Sequence, residues 1–393
     1  MTAKKLGFGL MRLPMREIAE TKRTVPTNRE NGFAGAEKYE PDLEKSCAMV
    51  DEFLANGFTY FDSSYMYLNM QSDKVAKKIL VERHPRDSYT LATKLPTFLI
   101  TKKEQISQIF NEQLENCGVD YFDYYLLHNI QNHLYEPYIK PLGEFEFAAE
   151  QKKAGKIKNL GFSFHDSPEL LDKILTEHPE VDFVQIVLNY FDWESYFVRS
   201  RRCYEVIRKH GKKVVAMQPV KAGTLADIPA KADKILRDAR PDLSPASWAV
   251  RFAASLDGVI CSLSGMTTLA QVRDNISYMK DFQPLTEKEI DLLQKVVPII
   301  KEGGALHCGD FKKYEDICEN KMPVAGILDA YNSCFLQPDP TFATEHNYYK
   351  TFRLDAKIPE GKSWIEGKII DKEGNDVTDL VKKAEDFLLK NSF

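Results

Sequence analysis

Three short runs carry side chains able to move protons. "TYFDSSYMY" closes an apolar stretch on Asp62 and places Tyr67 five residues later, "TLATK" ends on Lys94, and "YYLLH" ends on His128. A phenol has a pKa of about 10, too high for an efficient acid at neutral pH. An ammonium beside it stabilises the phenolate and lowers that pKa, and a carboxylate can hold the ammonium in place. A histidine can donate a hydrogen bond to a carbonyl oxygen. Asp62, Lys94, Tyr67 and His128 therefore form a coherent set for protonating a carbonyl oxygen as a hydride reaches its carbon. Taken singly, each has a plainer reading: Asp62 as a helix cap, Lys94 in a structural ion pair, His128 as a satisfied buried imidazole. Their placement at the ends of consecutive apolar runs, with Tyr67 in the loop between, favours the joint reading. Tyr60 is expected to pack outside the sheet, and Tyr65 to shape a pocket wall.

Such a set needs elements that converge. Short apolar or β-branched runs alternate with longer stretches of helical spacing along most of the chain. "GFGLM" supplies a first strand. "GFTYFDSS" precedes "SDKVAKKILVERH", and "SYTLATK" precedes "TKKEQISQIFNEQLENCG", where Thr101 and Glu104 make a capping box and Gly118 closes the helix. "FDYYLLHN" leads into "GEFEFAAEQKKAGK". "IKNLGFSF" precedes "SPELLDKILTEH", with Pro168 at the first helical position. "FVQIVLNY", "KKVVAMQPV" and "DGVICSLSG" complete eight strands. This alternation predicts a parallel α/β sheet, and eight units in roughly 280 residues predict a closed (β/α)8 TIM barrel. In that architecture the strand C-termini share one mouth, where Asp62, Lys94, His128 and Ser163 all fall.

A polar stretch at about 15–37 reads as a surface insertion. Thr286 and Glu289 start one more capped helix, and from about Gly303 to Phe393 the chain turns rich in Pro, Gly and charge. The expected division is a barrel over 1–283 and a smaller, mostly helical or irregular C-terminal domain over 284–393.

Composition narrows the function classes. With 43% hydrophobic and 28% charged residues and a net charge of -5, the chain reads as globular, with no basic block for nucleic acid. No apolar run approaches a bilayer span, and the N-terminus lacks a signal-peptide core. Seven scattered cysteines, an odd number, suit a reducing cytoplasm better than a disulfide framework.

"FDSSYMY", "LATK" and "YYLLHN", in that order, resemble the motifs of the aldo-keto reductase family over about Leu6 to Phe282. The resemblance implies a small-molecule aldehyde or ketone substrate, NADPH or NADH as cofactor, and Tyr67 rather than Tyr65 as proton donor. It also implies that Lys94 tunes Tyr67, Asp62 pairs with Lys94, and His128 orients the substrate carbonyl. Ser163 and Gln185 match the contacts to the nicotinamide amide. Phe164 stands where an Asn is common, with His165 beyond, and Met217 where many members stack a Tyr on the nicotinamide. "SGMTTLAQVRDN" resembles the segment holding the adenosine end: Asn275 matches an adenine contact, while Gly265 and Gln271 replace the Lys and Arg common in NADPH-preferring members. Arg273 is a candidate replacement cation, and the sequence does not choose between NADPH and NADH. No Gly-x-Gly-x-x-Gly follows a strand, which counts against a Rossmann site.

"CGDFKKYEDICENKMPV" resembles the C-x2-C-x2-C-x3-C-P run of the family subgroup with a ferredoxin-like tail. Cys308 and Cys318 match the outer ligands, Phe311 and Tyr314 replace the inner two, and Glu319 replaces the Pro. The later segment "IPEGKSWIEGKIIDKEGNDVTDLVKKAEDFL" has no cysteine. The expectation is a degenerate ferredoxin-like domain without an iron–sulfur cluster, and no metal site elsewhere. A rival reading makes the barrel a cofactor-binding sensor or interaction subunit, with the tail docking a protein partner. A metal-dependent hydrolase using Asp62, His128 and His165 is disfavoured because Lys94 would repel the ion. Trp193 and Phe191, after the sixth strand, fit either pocket walls or core.

Overall fold

The computed structural model describes residues 4–17, 39–307, 310–337, 340, 343, 345–359 and 361–390. Its centre is a closed barrel of eight parallel strands: β1 (Leu6–Gly9), β2 (Tyr60–Asp62), β3 (Thr90–Leu95), β4 (Phe122–Ile130), β5 (Ile157–Phe164), β6 (Phe183–Val187), β7 (Lys213–Met217) and β8 (Val259–Gly265). Neighbours follow chain order, and β8 closes on β1, pairing Gly9 with Gly265. Each strand is buried on both faces, which accounts for the near-continuous apolar runs. Outward side chains such as Phe8 and Phe61 pack on the helix layer, where Phe53 meets both rings edge-on at 5.4 Å. Inward side chains fill the barrel: Tyr60, Ala92, Leu126, Phe183, Val215, Cys261 and Leu263 form one buried cluster. Gly7 is required there, because a Cβ would lie 2.4 Å from Cys261 Sγ and 2.7 Å from Leu263 Cδ2.

Tyr60 thus corrects one expectation. It sits inside the barrel, because the period of two that aims Asp62 at the mouth aims Tyr60 along the same inner face. The expected Thr101–Glu104 capping box is absent: Gln105 Oε1 instead accepts from the Thr101 and Lys102 amides, at 2.8 Å and 2.9 Å. Gly118 does close that helix (Glu104–Cys117) in a left-handed conformation at φ 70°. Ser167 caps the helix starting at Pro168, and Thr286 with Glu289 forms a capping box. Most of the 15–37 insertion lies outside the described residues, and its ends pair as a short antiparallel ribbon, Met15–Glu17 with Tyr39–Pro41.

Helix Glu287–Lys301 buries Leu293, Val296 and Ile300 against the barrel layer, so barrel packing continues past residue 283. A second core gathers Phe311, Tyr314, Ile327, Tyr349, Trp364, Val381 and Leu388. It also takes in Val187, Phe197 and Val198 from the loop side of β6, so the C-terminal part packs on the barrel. A buried charge cluster ties the two. Lys221 Nζ, just after β7, lies 2.8 Å from Asp192 Oδ1 and 2.5 Å from Glu345 Oε1, at the start of helix Glu345–Asp355. Asn189 and Gln337 donate to the outer oxygens of these two carboxylates, at 2.8 Å each. Both anions hold the Lys221 pKa above its usual value against the pull of burial. Among the described residues no helix is long and apolar enough to cross a membrane.

Removing the cation would strand two buried carboxylates. Lys221→Ala is expected to lower the unfolding free energy by about 3 kcal/mol, read from urea melts followed by tryptophan fluorescence. An unchanged midpoint would mean that the cluster contributes nothing.

Candidate active site

Moving two residues along the strands from the interior cluster gives the mouth layer. Tyr60 leads to Asp62, Ala92 to Lys94, Leu126 to His128, Phe183 to Gln185, Val215 to Met217 and Leu263 to Gly265. Ser163 follows Gly161, whose Cβ position touches the inward Phe183 ring. The pleat alone therefore carries seven of the expected site residues to one layer.

Lys94 is 1% exposed, and its Nζ donates to Asp62 Oδ1 at 2.5 Å and to the Ser63 carbonyl at 2.7 Å. The same nitrogen lies 4.7 Å from the Tyr67 ring centroid. Asp62 and Tyr67 together keep the Lys94 pKa above its ordinary value despite burial. Burial pushes the Asp62 carboxyl upward, and the ammonium pulls against that shift. Burial also raises the Tyr67 phenol, and Lys94 offsets this only in part. The sequence argument weighed the ammonium alone, whereas desolvation is the larger influence here. Tyr67 is therefore a protonated phenol at neutral pH, with a cation positioned to receive its anion.

A left-handed run, Leu68, Asn69 and Met70 at φ 51°, 54° and 63°, follows the phenol directly. Such a conformation costs of order 1 kcal/mol or more per non-glycine residue. It turns the chain sharply back into the next helix and leaves Tyr67 facing His128 edge-on, with ring centroids 6.0 Å apart. His128 Nδ1 lies 3.1 Å from Ser64 Oγ. Ser64 Oγ also accepts from the Met66 amide at 3.4 Å; with the Ser64 hydroxyl donating to Nδ1, the imidazole proton would sit on Nε2. Burial, with the Lys94 charge, drives the His128 pKa well below its usual value.

Ser64 is a contributor that the sequence reading missed. So is Asp73, a buried carboxylate accepting from Ser63 and Thr93, the neighbours of Asp62 and Lys94, at 2.7 Å and 2.9 Å. Gln113 donates to the Lys94 carbonyl at 3.1 Å and completes this backing layer. The repeated serines of "FDSSY" were the available signal.

Across the mouth, Gln185 Nε2 reaches Asp62 Oδ2 at 3.5 Å, and Gln185 Oε1 is buried with no partner among the described residues. Ser163 Oγ accepts from the Asn129 amide at 2.7 Å, leaving its own proton to be donated. One orphan acceptor and one available donor match a primary carboxamide. Met217 touches both the interior cluster and the second core.

Other expected residues are engaged elsewhere. Gln271 Oε1 accepts from the Thr267 and Thr268 amides and caps helix Leu269–Met279. Asn275 donates to Ser264 Oγ at 2.7 Å and accepts from the Tyr278 hydroxyl. Arg273 turns away to Glu52 at 3.2 Å, so it does not replace the missing cations. The Tyr65 hydroxyl reaches Glu112 at 3.4 Å. Phe164 packs outward in the helix layer, and His165 meets the Tyr348 hydroxyl at 3.5 Å. Phe191 is core beneath Lys221, and Trp193 packs on Tyr204 and Phe252. Among the described residues no three His, Cys, Asp or Glu side chains cluster as a metal would need.

The aldo/keto reductase family model matches residues 31–298. This chain belongs to the aldo/keto reductase family. The aldo-keto reductase of Bacillus halodurans in its holo form aligns with a TM-score of 0.57 at 23% identity, covering 74% of this chain and 91% of that one. An aldo/keto reductase from Klebsiella pneumoniae in complex with NADP and acetate aligns with a TM-score of 0.58 at 19% identity, covering 75% and 92%. Another from that organism, in complex with NADPH, gives 0.57 at 17% identity over 76% and 96%. No curated protein matches the sequence. The family model ends at residue 298, so about the last quarter of the chain lies beyond it.

Three imidazoles give this aldo/keto reductase an acid-sensitive fold. His133 and His165 are each lowered to about 4 by burial, and burial with the Lys94 charge also drives His128 well below the usual 6.5. Below about 6.5 the unfolded chain binds protons that the folded chain refuses, so stability falls as pH drops from there towards 4. Urea melts across that range should show the decline, and His165→Gln should make it shallower. Equal slopes would mean that His165 titrates alike in both states.

Proposed function

We propose that this protein is an NADPH-dependent carbonyl reductase, converting a small aldehyde or ketone to an alcohol. The observation that carries the reading is the buried Lys94 ammonium, held by Asp62 at 2.5 Å and facing the Tyr67 ring at 4.7 Å. NADPH when bound supplies the hydride. Tyr67 passes its hydroxyl proton to the substrate oxygen, and Lys94 stabilises the phenolate that remains. His128, neutral and protonated on Nε2, donates a second hydrogen bond to that oxygen and fixes the carbonyl's orientation. Asp62 keeps Lys94 charged and aimed.

The cofactor's carboxamide would be held by Ser163, donating to its oxygen, and by Gln185 Oε1, accepting from its nitrogen. Met217 would pack against the ring. Gly265, Gln271 and Asn275 would border the adenosine end, with the last two shaping the backbone there rather than lending a free side chain. The Klebsiella pneumoniae aldo/keto reductases in complex with NADP and NADPH support this choice of cofactor.

The C-terminal part reads as a ferredoxin-like domain that has lost its clusters. Cys308 lies outside the described residues. Phe311 and Tyr314, where inner ligands would stand, are buried with ring centroids 6.2 Å apart, so aromatic packing takes the place of metal–thiolate bonds. The proposed division is a barrel with its helix through Lys301, followed by this smaller unit.

Tyr67→Phe should lower the reduction rate about a thousandfold while the affinity for NADPH stays within about twofold. Single-turnover assays and a fluorescence titration measure the two. A wild-type rate in the mutant would exclude Tyr67 as donor. Tight binding by the wild-type chain, with no turnover of any aldehyde or ketone tried, would favour the sensor reading.

A further inference from the structure

We propose that Arg12 is the residue that selects a 2′-phosphorylated cofactor, an inference that rests on the reductase reading above. The mouth layer of β8 ends on Gly265, which brings no side chain to the rim. A Cβ built there would lie 3.2 Å from Arg12 Cδ, 3.4 Å from its Cβ and 3.5 Å from its Cγ. The stem of Arg12, from the turn Leu10–Arg12 after β1, therefore lies across the space that a side chain at 265 would fill. Thr267 Oγ1 donates to the Arg12 carbonyl at 3.0 Å and binds this turn to the loop after β8.

Among the described residues, the ion pairs leave Arg12 for this task. On the helix that follows, Arg273 is bound to Glu52, and after the turn Arg16 is bound to Glu40. Arg12 is exposed and makes no ion pair among the described residues. Helix Leu269–Met279 begins beside it, and its first amides have no acceptor within the helix. Gln271, on that first turn, spends its side-chain oxygen on the cap. A planar guanidinium next to a positive helix end suits a phosphate dianion, which it can grip through two N–H bonds. A 2′-hydroxyl in that place would gain little.

The test is a pair of fluorescence titrations, NADPH and NADH, on the full chain and on Arg12→Gln, with Arg12→Lys as the conservative variant. Arg12→Gln is expected to raise the Kd for NADPH about tenfold and to leave that for NADH within about twofold. Arg12→Lys should restore part of the loss. The wild-type preference for NADPH should shrink with added salt, and this dependence should vanish in Arg12→Gln. An unchanged NADPH affinity in Arg12→Gln, or an equal loss for both nucleotides, would overturn the assignment of Arg12 and leave the reductase reading intact. Failure of the wild-type chain to bind either nucleotide would overturn that reading itself.

Discussion

The structure is organised around one buried ammonium. Placing Lys94 inside a barrel, nearly free of solvent, is costly unless every donor finds a partner. That requirement fixes its surroundings. Asp62 must stand on the adjacent strand, the Ser63 carbonyl must point inward, and the Tyr67 loop must fold back over the cation. Behind it, Asp73 and Gln113 lock the two strands that carry the pair, using hydroxyl and amide donors rather than a second cation. The electrostatics at the mouth follow. One ammonium draws its carboxylate towards the charged form and adds to the burial that disfavours protonation of His128.

Much of this was legible in the chain. Strands buried on both faces read as short apolar runs, and a period of two then assigns every inward residue once a single one is known. Asp62, Lys94, His128 and Ser163 were read at strand ends, Gln185, Met217 and Gly265 came from the family resemblance, and that rule accounts for all seven sharing one layer. The same rule, applied to Tyr60, would have put it inside, and the error came from treating a tyrosine by type rather than by phase. What could not be read were partners distant in sequence. Arg273 pairs with Glu52, and Tyr65 leans to Glu112, because of how helices lie around the barrel. Local spacing carries no trace of that. The Thr101–Glu104 box failed for a smaller reason: Gln105, one residue on, competes for the same amides. The desolvation of Tyr67 was also invisible, since it depends on closure of the whole mouth.

The C-terminal part is held by a side-chain core of its own, continuous with the barrel. Phe311, Tyr314, Trp364 and Tyr349 fill a core with aromatic rings, and Arg353 with Glu385 forms a buried ion pair within it. Lys221 then fastens this part to the barrel. The tail also reaches the active-site side of the molecule, because Tyr348 touches His165, two residues after Ser163.

That shared core has a consequence for the order in which the protein is made. Val187, Phe197 and Val198 leave the ribosome well before Phe311, Tyr349 and Leu388, which cover them in the finished molecule. A barrel complete through β8 would still present an oily face, waiting for about a third of the chain to be synthesised. During that interval the nascent protein is most exposed to wrong association, and a chaperone that shields apolar surface has most to offer.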